Sequence, residues 1–144
     1  MQRAHFALRR DIRDNLYMKK NVRLYWMPTC STCQKADRWL KRRGVDVDEY
    51  HDLKDAPLSR EEVAELASKV GSPVDLFSKR AVKYREMNLS ERKLSDDEML
   101  DLMAEEYTFI KRPVLMIGDK AVAGFFERSY LSFLDANFYE KKPR

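Results

Sequence analysis

The sequence predicts one α/β domain in which a β-α-β unit is followed by a helical insert and a closing β-β-α unit. Three observations carry this reading. A β-branched and aromatic run, Val22–Met27, leads into a helical pattern and then into a second extended run. The middle of the chain holds two S-x-x-E helix starts. Near the end, two short apolar runs flank Gly118-Asp119-Lys120 in a hairpin pattern. A length of 144 residues suits a single domain that buries its own core without staples.

Each element has its own signal. Val22–Met27 reads as a buried strand, and Pro28 and Thr29 break it. A helix follows from Ser31 or Thr32 to Arg43, with Cys33, Ala36, Trp39 and Leu40 on one face, and Gly44 ends it. Val45–Leu53 reads as the second strand. These pieces make a β-α-β unit of about 30 residues, the length such a unit needs. In the insert, Ser59 with Glu62 and Ser95 with Glu98 are capping-box pairs. Val63, Leu66, Ala67 and Val70 form the apolar face of the first insert helix, which Gly71 closes, and Met99, Leu102 and Met103 follow the second start. Leu76–Leu89 reads as short helical turns. Val114–Ile117 and Ala121–Gly124 are the hairpin strands, and a final helix spans Glu127–Asn137. The expected divisions are a basic N-terminal extension, 1–21, the α/β domain, 22–137, and a charged tail, 138–144.

The net charge of +4 is unevenly placed. Arg3, Arg9, Arg10, Arg13, Lys19 and Lys20 against Asp11 and Asp14 account for all of it, and residues 22–144 are balanced. A dedicated nucleic-acid binder needs a concentrated basic face, so direct nucleic-acid binding is not expected. The extension reads as a short basic helix, with Leu8, Ile12 and Leu16 on one stripe, or as a disordered arm. Met18, just before the first strand, leaves an unused upstream start as another reading. An organellar presequence is disfavoured by Asp11, Asp14 and the lack of serine there. No apolar run is long enough to span a membrane and no secretory pattern is seen, so a cytoplasmic location is expected.

The two cysteines, Cys30 and Cys33, are three residues apart. Secreted disulfide frameworks use more cysteines at wider spacing. The pair therefore points to redox chemistry or to half of a metal site, with an inert C-x-x-C as the bland alternative. A tetrahedral zinc site needs four ligands. The chain has no second cysteine pair, and its histidines are His5 and His51, so no metal is expected. Cys30 falls where a strand turns into a helix. Backbone N–H groups and the positive end of the helix dipole favour a thiolate there. The thiolate is the attacking species in thiol–disulfide exchange. Cys33 lies nearly one turn on, expected to be more buried and able to reach back. Cys30 is thus the expected nucleophile and Cys33 the resolving thiol.

Further segments accompany this motif. They are Tyr25 with Pro28-Thr29-Cys30-Ser31-Thr32-Cys33, Asp52-Leu53-Lys54 with Pro57-Leu58-Ser59-Arg60-Glu61-Glu62, Ser78-Lys79-Arg80, Lys111-Arg112-Pro113, and Gly124-Phe125 with Ser129-Tyr130. In this order, over residues 22–135, the chain resembles the arsenate reductase (ArsC) family, and its Spx-like C-x-x-C members more than its true arsenate reductases. The resemblance implies a thioredoxin-like fold with a helical insert, in agreement with the element order. It also implies that Cys30 is the redox-active thiol and that Pro113 is a cis-proline facing the cysteines. Arg112 would line an anion or thiol-ligand site, with Thr32 and Arg80 near it.

The departures from the family pattern bear on substrate. True arsenate reductases have a histidine four residues before the catalytic cysteine, where this chain has Trp26, and a serine three after it, where it has Cys33. At the three arsenate-binding arginine positions it has Ser78, Arg112 and Phe125, so one arginine remains, with Arg80, displaced by two, as a partial substitute. A lost charge-assisted bond is worth about 1.5–3 kcal/mol, which argues against arsenate. Two functions stay open under the resemblance. One is a thiol-dependent reductase of a disulfide, glutathione adduct or oxidised substrate, with no bound cofactor and with glutathione or a glutaredoxin as electron donor. The other is a redox switch that binds the RNA polymerase α subunit, as Spx-like regulators do.

Overall fold

Four strands form one sheet in the order β2-β1-β3-β4, with β1 Val22–Trp26, β2 Glu49–Asp52, β3 Val114–Ile117 and β4 Lys120–Ala123. The computed structural model describes residues 20–139. The extension up to residue 19, with His5, and the tail from residue 140 lie outside the described residues. The helices are α1 (Ser31–Arg42), α2 (Arg60–Val70), α3 (Pro73–Leu76), α4 (Val82–Glu86), α5 (Asp96–Glu105) and α6 (Glu127–Asn137), with 3-10 turns at Leu89–Glu91 and Tyr107–Phe109. β1 runs parallel to β2 and antiparallel to β3, and β3 pairs antiparallel with β4.

Strand alternation divides the core in two. Val22 and Leu24 of β1, with Leu115 and Ile117 of β3, point to the face covered by α1 and α6 through Ala36, Trp39, Leu40, Tyr130 and Leu134. Tyr25, Val114 and Met116 point to the other face, where Val63 and Leu66 of α2, Leu76 of α3 and Met103 of α5 pack. The result is an α/β/α arrangement with the predicted element order and a thioredoxin-like topology. No helix of the described residues is long and apolar enough to cross a membrane.

Several boundaries differ from the sequence reading, three of them with consequences for pairing and packing. The expected strand Val45–Leu53 pairs only over Glu49–Asp52. The Val45 N–H still bonds the Leu40 carbonyl at 3.0 Å in the turn after α1. Asp48 then grips Val22 twice, donating its N–H to the Val22 carbonyl at 2.8 Å and accepting the Val22 N–H on its carboxylate at 2.7 Å. Parallel pairing begins at Arg23 opposite Glu49. Val45 and Val47 thus reach the core from a connection rather than from the ladder. In the hairpin, Lys120 joins β4 opposite Ile117 and leaves Gly118-Asp119 as a two-residue turn. Gly118 has φ +63°, the positive value such a turn needs at its first central residue. Finally, Phe138, assigned to the tail, packs on the α1–α6 core, and its N–H bonds the Leu134 carbonyl at 2.8 Å.

Both capping boxes are closed. Ser59 Oγ accepts the Glu62 N–H at 3.1 Å and Glu62 accepts the Ser59 N–H at 3.0 Å. Ser95 and Glu98 repeat this at 3.1 and 3.2 Å. Arg60 joins the two helices through Asp97 at 3.2 Å and Asp101 at 2.8 Å. The Ser59 backbone holds the Glu62 carboxyl below its ordinary 4.5, and Arg92, then the Ser95 backbone, do the same for Glu98. A depressed folded-state pKa stabilises the fold above the unfolded value, and the contribution is lost as pH falls through the folded value. Ser95→Ala is expected to lower stability by about 1 kcal/mol at neutral pH. Urea unfolding should show this as a lower midpoint, and the gap to the parent chain should persist as the pH falls below 4.5, because Arg92 and the Ser95 backbone, which hold Glu98, remain in the variant.

Candidate active site

The end of β1 and the start of α1 build the site. After the Pro28-Thr29 turn, the Cys30 N–H bonds the Met27 carbonyl at 3.0 Å, and Cys30 becomes the N-cap of α1 with extended φ and ψ. Its sulfur accepts the Cys33 N–H at 3.4 Å. Cysteine here takes the position that serine fills in α2 and α5, where a helix presents its unpaired N–H groups. Cys30 is half-exposed and Cys33 is fully buried. Burial, helped by the neighbouring Cys30 sulfur, pushes the Cys33 thiol up to about 12, while the Met27 backbone and the Arg112 charge act the other way. The two thiols are therefore unequal: one can be reached, and the other is enclosed and neutral. At neutral pH, iodoacetamide is expected to modify Cys30 alone in the native protein, with Cys33 labelled only after unfolding, as read by mass after digestion. Equal native labelling of both would contradict this arrangement.

The start of β3 supplies the facing wall. Tyr25 pairs with Val114. The ladder stops there, with Arg112 and Pro113 just before β3 and Met27 just after β1. The Arg112–Pro113 bond is cis, Pro113 is buried, and its carbonyl accepts the Gly124 N–H at 2.8 Å. Arg112 donates to the Met27 sulfur at 2.9 Å, and its guanidinium lies 5.9 Å from the centre of the Tyr107 ring. Met27 thus holds Cys30 through its backbone and Arg112 through its side chain.

Cys30, Cys33, Arg112 and Pro113 meet at this end of the sheet. Thr32 is exposed in the first turn of α1, one residue before Cys33. Arg80 sits on a neighbouring loop. The chain from Leu76 to Ser78 pairs with Phe109–Lys111 through a bridge at Phe77 and Ile110, with Ser78 N–H to Phe109 carbonyl at 2.7 Å and Lys111 N–H to Leu76 carbonyl at 2.8 Å. Arg80 follows, exposed, and its backbone N–H bonds Ser78 Oγ at 3.3 Å. Its guanidinium forms no hydrogen bond or ion pair among the described residues. Trp26 packs on Tyr50 at 4.7 Å, and Phe125 on Trp39 and Tyr130 at 5.9 and 4.9 Å. With Ser78, these positions offer no cation to an oxyanion.

His51 lies within β2, its Nε2 2.7 Å from the Ala56 carbonyl and its ring 5.1 Å from Tyr25. Among the described residues no three His, Cys, Asp or Glu side chains converge. Sequence reasoning missed the part played by Met27. Its signal was register alone, since nothing local marks a thioether that will meet an arginine 85 residues away.

A C-x-x-C at a helix start, beside a cis-proline on a sheet covered on both faces, defines a dithiol protein of thioredoxin-like fold. The profile of the ArsC family matches residues 25–133, and the chain belongs to that family. It is 38% identical over 113 residues to the uncharacterized protein YusI of Bacillus subtilis, covering 76% of this chain and 95% of that one. It is 29% identical over 124 residues to the global transcriptional regulator Spx of Streptococcus pyogenes, covering 85% and 92%. The solution NMR structure of SACOL0876 from Staphylococcus aureus matches with a TM-score of 0.66 at 32% identity, covering 77% of this chain and 96% of that one.

Proposed function

We propose that this chain is a thiol–disulfide reductase whose working change of state is a reversible Cys30–Cys33 disulfide. The observation that carries the reading is the inequality of two thiols at one helix start, the outer half-exposed and the inner enclosed. Cys30 attacks a disulfide or glutathione adduct. A new S–S bond forms at Cys30, and the displaced thiolate leaves with the electron pair of the broken bond. Cys33 then attacks the Cys30 sulfur, releases the second thiol and leaves the internal disulfide. Glutathione or a glutaredoxin returns the two electrons. Arg112, with Thr32, Pro113 and, from the adjacent loop, Arg80, is proposed to hold the anionic part of the thiol ligand. Residues 79–93 support an anionic ligand, because Lys79, Arg80, Lys83, Arg85, Arg92 and Lys93 outweigh Glu86 and Glu91 there. The cytoplasm, where such a dithiol stays reduced, is the matching compartment.

A glutathione redox titration read by mass tests the reading. The expected result is loss of two hydrogens at a defined midpoint. Failure to oxidise under strongly oxidising conditions, or stoichiometric zinc in protein purified without chelator, would sink it. With glutathione and glutaredoxin, arsenate is expected to be turned over little or not at all, since Trp26, Ser78 and Phe125 stand at the oxyanion positions. Robust turnover at sub-millimolar arsenate would make Arg80 a ligand.

The similarity to proteins named global transcriptional regulators favours a second reading, a redox-switched regulator contacting the RNA polymerase α subunit. Purified α subunit binding one redox state of the chain, with no turnover of glutathione adducts, would select it over the reductase.

A further inference from the structure

Among the described residues the Arg112 side chain forms no ion pair and makes a single hydrogen bond, from Nη1 to the Met27 sulfur at 2.9 Å. A guanidinium has several N–H donors in one fixed plane, so this bond leaves most of them open to a ligand. An arginine fixed by its own protein is ordinarily met by a carboxylate, which forks onto it and cancels its charge. A thioether is neutral and a weak acceptor. It gives the guanidinium a direction and leaves the charge in place for an incoming anion.

Core packing does not account for the contact. Met27 is half-exposed and belongs to neither core. Its side chain is flexible by nature, yet it meets a partner 85 residues away in the chain. The same residue accepts the Cys30 N–H on its carbonyl at 3.0 Å. The exposed cysteine and the guanidinium are thus both tied to Met27, one through its backbone and the other through its sulfur. The Tyr107 ring, with its centre 5.9 Å from the guanidinium carbon, adds a second neutral neighbour.

We infer that Met27 is a positioning residue whose thioether aims the Arg112 guanidinium at the anionic group of a ligand reaching Cys30. The inference rests on the anion-holding role proposed above for Arg112. Arginine is long and loses rotamer freedom when it grips a ligand. A guanidinium already held in place loses less, so the anion binds more tightly. Met27 thereby sets the preference of Cys30 for anionic over neutral thiol reagents, and it takes no part in making or breaking bonds.

Alkylation of Cys30 in the reduced full-length chain tests this, read by mass after digestion. Iodoacetate and iodoacetamide react alike: the thiolate displaces iodide and an S–C bond forms. They are close in size, and only iodoacetate carries a charge. Their rate ratio at Cys30 reports attraction for the anion, because the thiolate fraction and access enter both rates equally. The folded parent should show a higher ratio than the urea-unfolded chain, and Arg112→Ala should remove the excess. Met27→Leu keeps the volume and the backbone bond but has no acceptor, and it should lower the ratio about 3–10-fold. Met27→Gln restores an acceptor and should return the ratio to within about twofold of the parent. On the Arg112→Ala background, Met27→Leu should have no further effect. An unchanged ratio in Met27→Leu beside a lowered one in Arg112→Ala overturns the role of Met27 and leaves that of Arg112 standing. An equal fall in the Leu and Gln variants also overturns it, since that marks a requirement of shape. A fall that persists without Arg112 does the same. If the folded parent shows no excess over the unfolded chain, Arg112 holds no anion, and that reading and this inference fail together.

Discussion

Cys30→Ser is expected to abolish thiol–disulfide turnover, with a loss of at least about a thousandfold. The magnitude follows from the partner left behind. Cys33 is fully buried, and burial pushes its thiol up to about 12, so it stays protonated at neutral pH. Cys33 can neither be reached by a substrate disulfide nor ionise well enough to replace Cys30. Cys33→Ser should behave differently. It keeps the first attack and accumulates a Cys30 mixed disulfide, visible as a mass adduct that a reductant removes. Steady-state turnover and intact mass of the two variants check both statements. Retention of more than about a tenth of parental turnover by Cys30→Ser would break the assignment of roles.

Phe109→Ala is expected to lower stability by about 3–5 kcal/mol, the range for deleting a buried aromatic side chain. Phe109 is 1% exposed and stacks on Phe77 at 5.3 Å, and its carbonyl accepts the Ser78 N–H. A typical domain has about 5–15 kcal/mol in all, so this substitution removes a large share. Equilibrium unfolding in urea measures it. The site should suffer too, because the Phe77–Ile110 bridge sets the loop that leads into Lys111-Arg112-Pro113. Weaker binding of anionic thiols at urea concentrations where the variant is still folded is the expected sign. A loss below about 1 kcal/mol would mean that this loop is not packed as described.

Much of the fold was legible because its signals are local. The capping boxes close within four residues, so Ser59 and Glu62, or Ser95 and Glu98, announce their helices whatever packs above them. The strand, break and helix around Cys30 are also short-range: a β-branched run, a proline, then an apolar face at helical spacing. The greater burial of Cys33 followed from its place on that face. β2 was misjudged for the converse reason. Val45 and Val47 alternate as strand residues do, but the carbonyl of Leu40 and the backbone of Val22 claim this stretch first. The residues that do pair, Glu49–Asp52, form a polar edge strand with little hydrophobic signal. The tie that holds them is Tyr50 Oη donating to Asp37 of α1 at 2.6 Å, a contact invisible to local pattern.

The element order, the helix start at Cys30, the unequal placement of the two cysteines and the lack of any second cysteine pair are all written locally in the chain. What stands around the cysteines comes from long-range packing. Arg112 meets Met27 because β3 pairs with β1 in one particular register, and a shift of one residue would send Arg112 to another neighbour and Met116 to the other face. The hydroxyl of Tyr130 is left unpaired because α6 packs on the same sheet face as α1 and seals it behind Trp39 and Phe125. Such choices depend on how distant segments are brought together, and no window along the chain contains both partners.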